Sequence, residues 1–471
     1  MALWLGEEFA AFHHSLEGKS LSGLRLNPAK TGPGELTGFG FTLRPLPWAA
    51  DEGFLLAGPA DAGRHPFHVA GLYYLQEPDA MAVVPLLDPR PDEWVLDLCA
   101  APGGKATHLA SRLAGAGFLL TNDIVPARAR ILAANLERWG ATCAAVTAEA
   151  PDRLLAHFGP AFHGVLVDAP CSGEGMFRKS GEARLAWSEA HVLGCAARQL
   201  AILEAAAGLV RPGGRLVYST CTFAPEENEG VVGQFLRRHP AFRLVPSPSA
   251  EGFSPGRPEW LKDPELARAD VLRGCVRLWP HHTTAEGHFV AIMVRDETGL
   301  APSPPASWRP SPPGKQALAA WEAFGQEVLV RPLEGMLHQG GQDLYLLPPT
   351  LPELRGLRLV RAGLCLGRVG QGAFQPAHAL ALALRPAQVR QRLDLALNDE
   401  RLAAYLRGGR LEASGPDGWV LVCGAGHPLG WAKRAKGRAK SHLPPARGIR
   451  STLVQTQREG SISPYTAPRS R

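Results

Sequence analysis

The sequence predicts an α/β protein built on a doubly wound, Rossmann-like parallel sheet, and three observations lead there. From about residue 92, short apolar runs alternate with helical stretches. A proline-glycine turn, Pro102-Gly-Gly104, follows the first of these runs. Proline-rich and basic segments then set this region apart from the rest of the chain.

At 471 residues the chain has room for about three domains. Its 45% hydrophobic and 20% charged residues are ordinary for a globular protein. No uninterrupted apolar run approaches the roughly 18 residues of a membrane helix. The start, Met1-Ala-Leu-Trp-Leu-Gly-Glu-Glu8, lacks the basic region of a secretory signal. Eight cysteines are scattered singly, which excludes CxxC zinc and redox motifs and argues against a disulfide scaffold. The expectation is a cytoplasmic, monomeric protein with reduced thiols, no membrane association and no metal.

Taken in order, residues 1–88 read as a small N-terminal α/β domain. Phe9, Phe12 and Leu16 recur at helical spacing within 7–16, and Leu24-Arg-Leu-Asn-Pro28 alternates like a strand closed by proline. The central domain, 89–298, has strand candidates at 94–99, 118–122, 143–147, 164–168 and 215–220, with a last strand at 288–294. Helical stretches fall at 105–113, 126–139, 182–210 and 225–238. Six prolines mark 299–315 as a linker. Residues 316–450 show short β-like runs (356–360, 363–369, 418–423) and one helix around 386–397. Residues 451–471 lack apolar periodicity and read as a disordered tail. Within 431–471 there are ten Lys/Arg against one acid, Glu459, which points to a polyanionic partner, nucleic acid first.

Trp94-Val-Leu-Asp-Leu-Cys-Ala-Ala-Pro-Gly-Gly-Lys105 is a buried strand that turns into a helix. Ligands in such sheets bind beyond the carboxyl ends of the strands. Gly103 and Gly104 allow close backbone approach, and the helix N-terminus favours an anionic group. The spacing is not G-x-G-x-x-G, so a nucleoside bearing a small carboxylate, such as S-adenosylmethionine, suits it better than a pyrophosphate. Asp123, at the end of the second strand, is placed for ribose hydroxyls, with a helix N-cap before Pro126 as its structural alternative.

Strand four ends in Asp168-Ala-Pro-Cys171-Ser-Gly-Glu-Gly-Met-Phe-Arg-Lys179 and strand five in Tyr218-Ser-Thr-Cys221-Thr222. As neighbours about 5 Å apart they bring both thiols to Asp168 at the ligand edge. This grouping suits methylation at C5 of a pyrimidine. That carbon is too weak a nucleophile until a thiolate adds at C6, so one hard step becomes two easier ones. Asp168 can hydrogen-bond or protonate the N3/N4 edge, and Lys105 or Lys179 can lower the pKa of the attacking thiol. A target base must be unpaired or flipped out. Which thiol attacks stays open on the residues alone, and Cys99, inside the first strand, reads as a core residue whose backbone lines the ligand.

These motifs resemble the Nop/Sun family of RNA 5-methylcytosine methyltransferases. The Gly173–Lys179 extension and the C-terminal region are similar to its bacterial small-subunit rRNA methyltransferase F branch. The resemblance spans roughly residues 20–295 closely and 316–450 more loosely. It implies a class I methyltransferase fold, S-adenosylmethionine as cofactor, and 16S rRNA or the small ribosomal subunit as partner. It implies Cys221 as nucleophile and Cys171 in product release. It also places Cys99, Ala100, Ala101, Pro102, Gly103, Gly104, Lys105, Asp123 and Asp168 at the cofactor. Where the family usually carries an aspartate contacting adenine, this chain has Glu149. Leu24–Asn27 and Tyr74–Glu77 are similar to elements that pack on the catalytic domain and RNA, or only stabilise that interface. Residues 364–369, 374–378 and 433–450 are similar to a PUA-like RNA-binding module. A tRNA substrate, or a ribosome-assembly role without catalysis, are the alternatives.

Overall fold

Five strands with side chains buried on both faces form the parallel centre of a ten-stranded sheet in the computed structural model. The structure describes residues 1–444, apart from 50, 59, 60, 247, 284, 298–307, 309, 311, 349, 371 and 372. The parallel strands run in the order Val210–Thr220, Phe162–Asp168, Trp94–Asp97, Phe118–Asn122 and Ala144–Thr147. The pleat sends alternate side chains to opposite faces. Val95 and Leu119 therefore pack with Leu109, Leu132 and Leu136 of the helices Gly104–Arg112 and Pro126–Trp139. Leu96, Phe118 and Leu120 pack on the other side with Leu154, Leu203 and Val232, from the helices Pro151–Phe158, Glu189–Leu209 and Glu229–Arg238. Strand order reverses between Trp94–Asp97 and Phe162–Asp168. That reversal opens the crevice where doubly wound sheets bind ligands.

Antiparallel strands extend the sheet at both edges. His288–Arg295 pairs with Val210–Thr220, and Leu359–Ala362 pairs with Ala144–Thr147. The second pairing departs from the sequence reading, since a strand from beyond the proline-rich segment completes the catalytic sheet. Period-two alternation marks a strand but not its partner. The segment 299–315 lies mostly outside the described residues; within it Trp308 is buried, donating its backbone N–H to the Leu351 carbonyl. The 451–471 tail lies outside the described residues.

Two helix expectations are corrected. The stretch 182–210 splits into Gly181–Ala186 and Glu189–Leu209, because the Ser188 side chain caps the second helix by accepting from His191 N at 3.1 Å. Glu189–Leu209 is also long and apolar enough to cross a membrane, and half of it is buried within the protein. Around 386–397 the chain forms the strand Arg392–Leu395, parallel to Gly418–Gly424, rather than a helix. The longest C-terminal helix is instead Lys315–Val328, whose buried Ala317, Ala320, Trp321, Phe324 and Val328 recur at helical spacing. The prolines just before it obscured that signal.

The N-terminal sheet (Thr42–Pro45, Gly53–Gly58, Ser22–Leu26, Tyr73–Gln76) is antiparallel and reaches into the catalytic domain through Arg25. Fully buried, Arg25 bonds Gln76 Oε1 (3.0 Å), the Gly104 carbonyl (3.0 Å) and Thr107 Oγ1 (2.6 Å). Asn27 Nδ2 donates to the Gly71 and Trp139 carbonyls. Arg25 thus joins the domains at the start of the Gly104–Arg112 helix, and Asn27 at the end of the Pro126–Trp139 helix. Residues 315–444 add a four-stranded and a five-stranded sheet.

One buried ion pair braces the sheet beside the crevice. Arg277 and Glu229 are 2% and 0% exposed and bond through Nε–Oε1 (2.8 Å) and Nη2–Oε2 (2.6 Å). Arg277 Nη1 also holds the Phe223 carbonyl at 3.0 Å. Removing one partner strands a buried charge, so Glu229→Gln is expected to cost about 3–5 kcal/mol, read from the urea midpoint at unchanged slope.

Candidate active site

Asp168 pairs in register with Ser219 on the neighbouring parallel strand. Just beyond that pair both strands turn, and Cys171 Sγ lies 3.3 Å from Cys221 Sγ. The two loops are tied at several points. Ser172 Oγ is 2.8 Å from Thr222 Oγ1, and Glu174 Oε2 accepts from Phe223 N at 2.8 Å and Thr222 Oγ1 at 3.1 Å. Gly175 N donates to the Cys221 carbonyl at 2.8 Å. A Cβ at Gly175 would lie 2.7 Å from that oxygen, so only glycine permits the approach.

Beneath Cys171, Glu227 Oε2 accepts from Ser172 N (3.0 Å) and Gln199 Nε2 (2.7 Å), and Gln199 also donates to the Pro170 carbonyl. The Tyr218 hydroxyl donates to the Glu227 carbonyl at 2.6 Å. Burial raises the Glu227 carboxyl above its ordinary range. The contact with Cys221, and then burial, pushes the Cys171 thiol well up.

Asp168 behaves in the opposite way. Lys105 Nζ sits 2.7 Å from Oδ2, Ser219 Oγ donates to Oδ1 at 2.8 Å, and His288 Nε2 is 3.8 Å from Oδ1. Burial opposes its ionised form, yet Lys105 and His288 outweigh that and hold the carboxyl below the usual carboxylate range. Asp168 is therefore a hydrogen-bond acceptor near neutral pH. Both lysines considered as thiol activators are committed to carboxylates, Lys105 to Asp168 and Lys179 Nζ to Glu286 Oε1 at 3.5 Å.

The 99–105 loop links the Trp94–Asp97 strand, beside which the strand order reverses, to the Gly104–Arg112 helix. Cys99 is half-buried, Ala100 and Ala101 are buried, Pro102 is exposed, and burial pushes the Cys99 thiol up. The Ala101–Pro102 peptide is cis. Arg128 and Asn135 donate to the Ala101 and Pro102 carbonyls. Gly103 has φ +117°, a conformation that favours glycine, and a Cβ there would come 3.2 Å from Leu132 Cδ1. Asp123, also buried, accepts from Val125 N at 2.9 Å and faces Arg128 at 3.4 Å; it is not the N-cap of the following helix, a position held by Val125. Glu149 Oε1 accepts the Arg358 N–H at 2.7 Å. Beside it a cleft of about 450 Å³, lined by Ile124, Ala148, Glu149, Ala150 and Arg358 among others, opens at the ends of the second and third strands.

Sequence reasoning missed Asp97, Ser219, Glu227, Gln199 and His288. Asp97 carried a signal, an acid at the end of the strand that feeds the loop. Neither of its carboxylate oxygens has a hydrogen-bond partner among the described residues, although the side chain is fully buried. Burial and then the Asp168 charge push its pKa well up. Orphaned acceptors beside a glycine cradle that a Cβ would fill fit a ligand bearing an amino group and a carboxylate, which S-adenosylmethionine carries at its amino-acid end.

The likeness to known proteins spans nearly the whole described chain. Residues 84–294 match the profile of 16S rRNA methyltransferase RsmB/F, and residues 1–78 that of the N-terminal domain of 16S rRNA methyltransferase RsmF. Residues 323–384 match the RsmF rRNA methyltransferase first C-terminal domain, and 392–448 the methyltransferase RsmF PUA domain. Ribosomal RNA small subunit methyltransferase F of Klebsiella pneumoniae (strain 342) is 32% identical over 425 residues, covering 86% of this chain and 85% of that protein. The chain belongs to the ribosomal RNA small subunit methyltransferase F family. The family's protein of the same name from Erwinia tasmaniensis is 31% identical, with 93% of this chain and 92% of that one covered. Among solved structures, a methyltransferase homolog protein from Pyrococcus horikoshii is 28% identical with a TM-score of 0.53, covering 62% of this chain and 92% of its own. NSun6 from the same organism, solved with SFG, is 20% identical with a TM-score of 0.51 over 63% of this chain and 97% of its own, and shares the fold. As a family member the chain is an S-adenosylmethionine-dependent rRNA methyltransferase. The matches also relocate two runs. Residues 364–369 and 374–378 fall in the first C-terminal domain, and only 433–450 reaches the PUA match.

Proposed function

We propose that this protein methylates C5 of cytidine in 16S ribosomal RNA through a transient bond between Cys221 and C6 of the base. The observation that carries the reading is a pair of thiols 3.3 Å apart beside an ionised Asp168 at the switch point of the sheet. S-adenosylmethionine supplies the methyl group as an electrophilic sulfonium. The 99–105 loop and Asp97 would hold its amino-acid end, Asp123 its ribose and Glu149 its adenine. Cys221 adds to C6 as its thiolate, having given up its proton beforehand, and this moves electron density to C5. Asp168 accepts a hydrogen bond from the exocyclic N4 amine, distinguishing cytosine from uracil, whose O4 offers no donor. After methylation a base removes the C5 proton, the C5–C6 double bond re-forms and the C6–S bond breaks. Cys171, held as a thiol against that sulfur, protonates it as it leaves.

RNA is gripped at a distance from this chemistry. In the five-stranded sheet, Arg410 lies opposite Lys440 and Lys440 opposite Lys433, all three exposed. Lys433 Nζ sits 5.5 Å from the centre of the Trp419 ring. Like charges directly opposite one another weaken a sheet unless an anion bridges them, and a phosphate backbone is such an anion. The double variant Lys433→Glu/Lys440→Glu should weaken RNA binding. It should lower the slope of log K against log salt by about 1 for each phosphate the protein no longer neutralises, measured by filter binding.

Methyl transfer from a labelled donor to naked 16S rRNA, isolated small subunits and tRNA, followed by nucleoside analysis, tests the reading. Label is expected in 5-methylcytidine from one of the small-subunit substrates. Label confined to tRNA, or to another nucleoside, contradicts it.

A further inference from the structure

Away from the crevice, a carboxylate and two imidazoles converge where the N-terminal helix meets the catalytic domain. Glu8 ends the short helical turn Gly6–Glu8 that leads into the helix Phe9–Glu17. His281 and His282 lie in Pro280–Thr283, just ahead of the His288–Arg295 strand. Glu8 Oε2 is 3.3 Å from His281 Nε2 and 3.5 Å from His282 Nε2.

Those distances are the informative part. A charge-assisted N–H···O bond to a carboxylate closes to roughly 2.7–2.9 Å. The buried His108–Glu52 pair at 2.7 Å and His427–Glu35 at 2.6 Å do so, whereas the exposed His13–Glu17 and His14–Glu17 pairs stay at 3.7 Å. The Glu8 pairs stand wider than the first two. Ligands about 2.0–2.1 Å from a tetrahedral cation are separated by about 3.3–3.4 Å, the spacing seen here.

The surroundings agree. The His281 side chain is only 5% exposed. His282 Nδ1 lies 3.2 Å from Ser254 Oγ, the kind of outer contact that orients a ligating imidazole. Arg257 Nη2 is 3.7 Å from the other Glu8 oxygen, Oε1, so Oε2 alone faces both rings.

We propose that Glu8, His281 and His282 form a site for a borderline divalent transition metal of the Zn²⁺ class, with a fourth position open to water. The donor set of two imidazoles and one carboxylate suits such a cation. Its effect is structural. Phe12 of the same N-terminal helix packs edge-on against Phe223 (5.2 Å) and Trp279 (6.0 Å), and Phe223 follows closely on Cys221. The ion pins that helix against the loop carrying the nucleophile. The sequence reading assigned no metal because Glu8 and the two histidines lie far apart along the chain, with no ligand spacing to notice.

The test uses the full chain, stripped with chelator and titrated with Co²⁺ as a spectroscopic probe. One equivalent is expected to bind, with weak visible d–d bands and no near-ultraviolet thiolate charge-transfer band, and Zn²⁺ should displace it. His282→Ala and Glu8→Gln should each lower affinity at least about tenfold. His282→Ala should keep wild-type circular dichroism and metal-free methyl transfer, which separates a missing ligand from a disrupted fold. Failure to saturate, equal binding by both variants, or a thiolate band that locates the ion at Cys171 and Cys221 would each overturn the proposal.

Discussion

Cys221→Ala is expected to abolish methyl transfer, by a factor on the order of 10⁴ or more, while S-adenosylmethionine affinity should stay within about twofold of wild type. The size follows from the chemistry, because without a sulfur adding at C6 the C5 carbon has no means of attacking the methyl group. The selectivity follows from the geometry. Cys221 lies on the loop after Val210–Thr220, whereas the loop read as the cofactor cradle follows Trp94–Asp97 and is braced by Arg25, Arg128 and Asn135. Single-turnover methyl transfer and equilibrium dialysis of the cofactor measure the two halves separately. Retained transfer would move the nucleophile elsewhere, and Cys171 would be the first place to look.

Cys171→Ser should have the second-largest effect, and of a different kind. Serine keeps the volume and the tie to the Glu227–Gln199 platform, which acts through the neighbouring Ser172 N–H and Pro170 carbonyl. It would lose the thiol proposed to return a proton to the departing sulfur. Adduct formation should continue while release slows by roughly 10²-fold or more, in the range of general acid catalysis. The covalent protein–RNA species then accumulates and migrates slowly on denaturing gels. A variant that turns over without the slow band has no need of Cys171 for release.

How much of this could be read from residues alone divides by the reach of the interactions. The five parallel strands, the glycine turn and the meeting of Asp168, Cys171 and Cys221 were legible, because period-two runs and their order place strand ends together. Local signals could not show which long-range partner completes a site. Lys105 reads as a thiol activator until the structure seats it on Asp168. Leu359–Ala362 reads as part of a separate C-terminal unit until it pairs with Ala144–Thr147. The helix expected near 386–397 failed for a local reason, since Arg392-Leu-Asp-Leu395 alternates with period two and the neighbouring strand captures it. Asp97 was visible within its motif but gained a role only once both its oxygens proved buried and unpartnered among the described residues.

The central claim is a bond from one sulfur to the pyrimidine ring, and RNA carrying 5-fluorocytidine tests it most directly. Fluorine at C5 cannot leave as the proton does, so the ring cannot regain its double bond and the enzyme stays attached. With S-adenosylmethionine present, the wild-type protein should form a complex stable to boiling in detergent, with peptide mapping placing the RNA on Cys221. Cys221→Ala should form none. A wild-type enzyme that methylates ordinary rRNA yet never becomes attached to the fluorinated one would contradict covalent catalysis in this protein.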